Sequence, residues 1–178
     1  MGLDPIGMPD SLEALSRLAR RVCGMATDEA AGIYARESTV LDRYVQLGIA
    51  QGRVLSVEFP DDVLDGSDEH ELLDRIAAYL DGEQDDFADV TVAMTMPTDT
   101  RAVLEKVREI PYGESGSIEQ VAMMVPGRDP DEEEDLAAVR DALGENPAPI
   151  LIPTHRVRGG RAGAPADVAE TLRSIEGI

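Results

Sequence analysis

The sequence has a single cysteine, Cys23, among 178 residues, and it has no tryptophan, two phenylalanines and four tyrosines. One thiol cannot close an internal disulfide, and zinc or iron–sulfur clusters built on cysteines need several, so these are excluded. Cys23 therefore reads as a reduced, semi-buried small hydrophobe rather than a reagent. The two histidines, His70 and His155, stand far apart with no ligand spacing around either, so neither a metal nor another cofactor is expected. There is no run of about 18 apolar residues that would span a bilayer. Residues 1–10 carry neither a basic region nor a hydrophobic stretch, so no signal peptide is expected and the reading is of a cytoplasmic, monomeric protein away from membranes. Lysine is almost absent: Lys106 is the only one, every other cation being arginine.

What is present is acid. Asp and Glu number 36 against 16 Lys and Arg, a formal charge of -20 with pI near 4.2, while 43% of residues are apolar. That apolar fraction is ample for a packed core and excludes disorder as a description of the whole chain. Such a charge ordinarily opposes nucleic acid, whose non-specific binding rests on cations displacing counterions. Acids scattered through the whole chain, with arginine replacing lysine, instead look like the surface habit of proteins from halophiles. In about 1 M salt the screening length is about 3 Å, so net charge loses its veto over DNA.

Periodicity gives the outline. Leu12, Leu15, Leu18, Ala19 and Val22 fall at helical spacing behind an Asp10-x-x-Glu13 cap. Val45, Leu47 and Ile49 alternate, Gln51-Gly52 turns, and Leu55, Val57 and Phe59 resume the alternation, a β-hairpin pattern. Ser67 is the expected cap of a helix carrying Leu72, Leu73, Ile76, Ala77 and Leu80, stopped by Asp81-Gly82. Val90, Val92, Met94 and Met96 predict a third strand, and Pro97 a boundary. Beyond it, Val103, Leu104, Val107 and Ile110 predict a helix ended by Pro111 and Gly113. A Ser117-x-x-Gln120 box caps a short helix through Met124, and Leu136, Val139, Ala142 and Leu143 mark another. The two fit a helix-turn-helix with a long, acidic turn. Ile150-Leu151-Ile152, bracketed by Pro149 and Pro153, predicts a strand-like edge segment. Val168, Leu172 and Ile175 mark a terminal helix.

At the end of the apolar run stands Pro153-Thr154-His155-Arg156-Val157. A histidine there can poise an adjacent hydroxyl or water with a carboxylate such as Glu176 orienting the ring, or it can simply be satisfied by a backbone carbonyl. The surrounding segments carry more information. Ile110-Pro111-Tyr112-Gly113-Glu114, residues 117–122, Asn146-Pro147-Ala148-Pro149-Ile150-Leu151-Ile152-Pro153 running into His155-Arg156-Val157, and Glu176-Gly177 resemble the methylated-DNA–protein-cysteine methyltransferases, which remove alkyl groups from the O6 atom of guanine. Tyr79-Leu80-Asp81-Gly82 and Asp86-Phe87 are similar to that family's N-terminal domain.

The resemblance implies a small N-terminal sheet domain, then a C-terminal domain whose helix-turn-helix enters the minor groove and flips the modified base into a pocket. There a cysteine accepts the alkyl group, its thiolate drawn out by histidine through a water with glutamate behind. By this correspondence Asn146, His155, Arg156 and Glu176 stand where that machinery stands, but Thr154 replaces the cysteine of Pro-Cys-His-Arg-Val. Displacement at an alkyl carbon wants a polarisable anion, and an alcohol is a far weaker acid than a thiol near pKa 8.5. The family's intercalating arginine corresponds to Ala137 and a nearby glycine to Arg140, which is either a displaced finger or a surface arginine paired with its acidic helix. Ile118 replaces a tyrosine. Residues 159–163 resemble the glycine-rich pocket wall, interrupted by Pro165.

The expected architecture is an α/β N-terminal domain, a small antiparallel sheet with a helix over residues 1–97, followed by a mostly α domain over residues 98–178 with a winged helix-turn-helix-like core. Thr154, Asn146, Arg156 and Gly160 are expected to line a lesion pocket, with His155 and Glu176 as relay positions. Tyr112, Ser117, Ala137 and Arg140 are expected to face DNA. The leading functional reading is recognition of alkylated double-stranded DNA without transfer, handing the lesion to a repair protein. A second is a pseudoenzyme that keeps the fold and binds a protein partner or small ligand; a third is residual alkyltransferase or hydrolase activity.

Overall fold

The computed structural model describes residues 31–63 and 66–178. The helix expected at residues 10–22 and Cys23 lie outside the described residues. The described residues open with β1 (Gly32–Ser38), β2 (Arg43–Ala50) and β3 (Arg53–Glu58), an antiparallel sheet in the order β1-β2-β3. The hairpin turn is where the sequence predicts it: Gln51 and Gly52 both take positive φ, 53° and 69°, as a two-residue turn matched to strand twist requires. β1 has no sequence forecast because charged Arg36 and Glu37 interrupt its alternation; it is held by full pairing to β2.

The inward face of β3 differs from the expected one. The ladder slips at Gly48/Ile49, so that Gly48 faces Ser56 while Ile49 faces Val54. This bulge turns Val54 and Val57 inward and leaves Leu55 exposed, where strict alternation has Leu55 buried. The expected third strand at residues 90–96 is also corrected. Only Val92 makes a bridge, parallel to Val54, through Val54 N to Thr91 O (2.9 Å) and Ala93 N to Val54 O (2.8 Å). Val90, Met94 and Met96 still pack against the core, so the side chains account for the apolar pattern without a ladder.

Helix α1 (Glu71–Leu80) buries Leu72, Leu73, Ile76, Tyr79 and Leu80. Its cap is His70, whose ring accepts from Leu72 N, not the expected Ser67, which is drawn away into a bridge with Tyr34. Asp81 and Gly82 end it as expected, Gly82 at φ 105°. Pro97 precedes α2 (Thr98–Val107), which stops short of Ile110. Ser117 and Gln120 cap α3 (Ile118–Met124) reciprocally, as the sequence predicts. Helix α4 (Glu133–Gly144) packs against α2 and α3.

Residues 150–152 form no strand. Ile150, Leu151 and Ile152 are all but fully buried in a turn closed by Ile152 N to Ala148 O (2.9 Å), with Ile150 at φ 79°. A β-branched residue in that region is strained, and Asn146 braces the turn from within, its Oδ1 accepting from Ala148 N (3.0 Å) and its Nδ2 donating to Ile152 O (2.9 Å). A single 3-10 turn (Thr154–Arg156) leads into β5 (Val157–Arg158), which pairs in parallel with β4 (Gly116–Ser117). Helix α5 (Ala166–Glu176) ends at Gly177, in the left-handed conformation.

Buried apolar residues from Leu41 in the β1–β2 turn to Leu172 in α5 form one continuous cluster. Leu47, wholly buried at the centre of β2, is the test of it. Leu47→Ala is expected to lower stability by about 2–5 kcal/mol, read as a lower denaturant midpoint at unchanged slope. A loss below about 1 kcal/mol would place the sheet outside the core.

Candidate functional site

The site is organised by the Glu176 carboxylate. It sits on the last residue of α5, and its side chain is fully buried. Arg156 grips it with two parallel bonds, Nε to Oε2 at 2.7 Å and NH2 to Oε1 at 2.9 Å, and sends NH1 to the Ile110 carbonyl at 2.6 Å. His155 Nε2 reaches Oε1 at 2.8 Å, Gly113 N donates to Oε2 at 3.3 Å, and the Tyr79 hydroxyl donates to Oε1. Burial alone would raise the Glu176 pKa, but the bonds from His155, Arg156 and Tyr79 outweigh it and lower it to about 2. Burial pushes the His155 imidazole below its usual value against a smaller upward pull from Glu176. Because Glu176 is a carboxylate, it can only accept; His155 must carry its proton on Nε2, leaving the Nδ1 lone pair as its basic atom.

Thr154 lies next to this pair but belongs to a second network. Its Oγ1 accepts from Asn146 Nδ2 at 3.0 Å and donates to the Ala162 carbonyl, and the side chain is buried. The loop over residues 159–163 thus closes directly on the hydroxyl. Gly160 and Gly163 make that approach feasible. A Cβ on Gly160 would run into Leu143, and one on Gly163, at φ 66°, would lie 2.7 Å from the Asn146 Cβ. On the outer side of the loop runs an open groove of small residues, among them Gly144, Ala166 and Ala169, with Arg161 and Arg173 at its edge; Thr154 is not on its wall.

The expected site residues thus divide. Thr154, His155, Arg156, Asn146 and Glu176 come together, and Gly160 stands over Leu143 at their edge. Tyr112 is half-buried, with the Arg156 guanidinium 5.8 Å from its ring centre and its hydroxyl on the Ile175 carbonyl (3.4 Å). Ser117 is used as a helix cap, Ala137 is half-buried on α4, and Arg140 pairs with Glu133 at 2.7 Å. The first turn of α4 holds Glu133, Glu134 and Asp135, and Arg128 binds Asp135 at 2.8 Å. Tyr79 is the member that site reasoning from sequence missed. Its signal was a polar-tipped aromatic three residues after Ile76 on an apolar helix face, a type that finds a partner when buried. Among the described residues no group of acidic, histidine or cysteine side chains is arranged to hold a metal, and no helix is long and apolar enough to cross a membrane.

Residues 99–174 match the family model described as 6-O-methylguanine DNA methyltransferase, DNA binding domain. Among curated relatives, the methylated-DNA–protein-cysteine methyltransferase of Methanopyrus kandleri is 36% identical over 91 residues, 49% of this chain, and that of Mycolicibacterium paratuberculosis is 31% identical over 111 residues, 58% of this chain. Over that stretch the chain is similar to the methylated-DNA–protein-cysteine methyltransferases. The matched stretch spans 62% of the length of each of these two relatives. The fold agrees: Mycobacterium tuberculosis O6-methylguanine methyltransferase superposes with TM-score 0.65 at 20% identity, covering 83% of this chain and 93% of that one. The O6-methylguanine-DNA methyltransferase of Pyrococcus kodakaraensis superposes at 0.62, 21% identity, covering 82% and 99%. A third solved neighbour is the M. tuberculosis protein in complex with DNA, with TM-score 0.63 at 21% identity over 82% and 92%.

The site gives stability an acid limb of definite sign. His155 is depressed below 6.5 in the folded chain and Glu176 from 4.5 to about 2, so each contributes stability that is present above its ordinary value and lost as pH falls through the folded one. Urea midpoints are expected to fall below about pH 6.5 and again between about 4.5 and 2. Glu176→Gln should remove the second limb and cost about 3–5 kcal/mol at neutral pH by leaving Arg156 buried without its counter-charge; an unchanged midpoint would contradict this.

Proposed function

We propose that the protein is a DNA-repair-related member of its family that recognises O6-alkylguanine in double-stranded DNA without accepting the alkyl group. The observation that carries the second half is the state of Thr154: where the resemblance puts an acceptor cysteine, the chain has a buried hydroxyl committed to Asn146 and the Ala162 carbonyl. An alcohol so held has no route to the polarisable anion that displacement at an alkyl carbon requires. Recognition draws on the retained Asn146, His155, Arg156 and Glu176 cluster and on the fold shared with a neighbour solved in complex with DNA. In this reading the chain divides near Pro97, and α3 and α4 with the β4–β5 pair act as a winged helix-turn-helix. Residues 159–163 resemble the family's glycine-rich pocket wall, so in this reading the loop has to move off Thr154 to admit the alkylated base. The acidic start of α4 is tolerated in molar salt, where its repulsion is screened.

A second reading is favoured by two particulars, the closure of Ala162 over Thr154 and the pairing of Arg140 with Glu133 instead of a free cation on α4. In it the chain keeps the fold, has left DNA, and presents its acidic α4 turn to a basic protein partner.

Intact-mass measurement after incubation with O6-methylguanine duplex is expected to show no added alkyl group, whereas Thr154→Cys is expected to gain one. A mass gain in the unsubstituted chain would overturn the loss of transfer. Fluorescence anisotropy in about 2 M potassium chloride, which suppresses phosphate attraction, should show tighter binding to the modified duplex than to its unmodified match. Equal and negligible binding to both would leave the second reading in possession.

A further inference from the structure

We propose that Tyr79 is a positioning residue of the His155–Glu176 pair: from α1, in the N-terminal half, its hydroxyl occupies the very carboxylate oxygen that His155 bonds, and so limits how strongly that oxygen holds the imidazole proton and how basic the ring is. This concerns the built site itself and does not depend on what the protein binds.

Tyr79 is 1% exposed, and its ring stands edge-on to Phe87 and Tyr112 with centroids 5.6 and 5.9 Å away, so the hydroxyl has one fixed direction. That direction ends on Glu176 Oε1, with His155 Nε2 at 3.4 Å from the same hydroxyl. Two donors therefore converge on one acceptor. Oε1 takes Tyr79, His155 and Arg156 NH2, while Oε2 takes Arg156 Nε and Gly113 N. Five donors thus meet a carboxylate that offers about four lone-pair sites. Each donor draws charge from the oxygen that His155 relies on, and Tyr79 competes with it on Oε1 directly.

The surroundings exclude the reverse arrangement. A phenolate cannot form beside Glu176: burial and that carboxylate drive the Tyr79 phenol far above its ordinary 10, so the hydroxyl remains a donor. The charged and titratable groups that face the imidazole are Glu176 and Arg173 on α5, Arg156 on the 3-10 turn, and Tyr79 on α1, with Arg173 Nε holding the His155 carbonyl at 2.9 Å. Of these only Glu176 carries a negative charge, and it is the nearer acceptor of the imidazole N–H, 2.8 Å from Nε2 against 3.4 Å for the Tyr79 hydroxyl. Burial keeps the imidazole weakly basic with its lone pair on Nδ1, and Tyr79, outside the stretch that matches the family's DNA-binding domain, limits the upward pull of Glu176 on it.

The test is nitrogen and carbon NMR of the histidines in the full chain, with His155→Gln to assign the two rings. In the unsubstituted protein at pH 7.5, His155 is expected in the Nε2-protonated form; the opposite tautomer would overturn the proposal without any variant. Tyr79→Phe removes only the hydroxyl and is expected to raise the His155 titration midpoint by about half a unit or more, because Oε1 is returned to the imidazolium. Phe87→Leu disturbs the same aromatic cluster without touching the carboxylate, and should lower stability while leaving the midpoint in place. An unmoved midpoint in Tyr79→Phe, or an equal movement in Phe87→Leu, would reduce Tyr79 to packing.

Discussion

The site at the C-terminal end of α5 hangs on one buried negative charge, the Glu176 carboxylate. A carboxylate removed from water is costly unless nearly every lone pair is used, and Glu176 meets that demand with four residues from three separate places: Tyr79 on α1, Gly113 after α2, His155 and Arg156 on the 3-10 turn. The demand is what draws these segments together. Arg156, wholly charged and planar, answers it with two parallel bonds and gives a third donor to the Ile110 carbonyl, so the turn after α2 is tied into the same knot. The segments that resemble the family most specifically, around Tyr112-Gly113, His155-Arg156 and Glu176-Gly177, are the segments this single charge holds.

Beside that knot the second network has a different character. Asn146 braces a strained buried turn at Ile150 and offers its remaining amide hydrogen to Thr154. Thr154 then passes its own hydrogen to the Ala162 carbonyl. In a site that must present a nucleophile, the corresponding atom needs to be poised and unspent. Here it is spent on holding a loop, and the glycines at 160 and 163 allow the loop to come that close. The weak acidity of an alcohol and the closure of the loop over it both favour the proposed reading without transfer.

Much of the fold was legible in one dimension because it follows from local rules. The Gln51-Gly52 turn, the Ser117–Gln120 capping box and the Asp81-Gly82 stop each depend on residues within a few positions of each other. The failures were non-local. Leu55 faces out because the bulge at Gly48 shifts its partner strand, and nothing in the alternation of β3 itself announces this. Residues 90–96 and 150–152 are apolar because they are buried, yet neither pairs as a strand, since burial can be satisfied by a single bridge or a turn as well as by a ladder. Ser67 is as good a cap by composition as His70, but its backbone is bonded to Ile33 O and Ala35 N of β1.

By itself, the sequence determined the class of partner-bearing side chains at the site and the absence of a thiol beside His155, because residue type dictates which atoms can ionise, donate or attack. It also determined the acidic character of the surface, which is a matter of counting. Only the tertiary structure decided that Tyr79, 97 positions from Glu176 in the chain, shares its carboxylate with His155, and that Ala162 covers Thr154. The reason is physical: the cost of an unsatisfied buried charge or hydroxyl is paid by whatever donor or acceptor the packing brings near, and packing joins residues whose separation along the chain carries no signal.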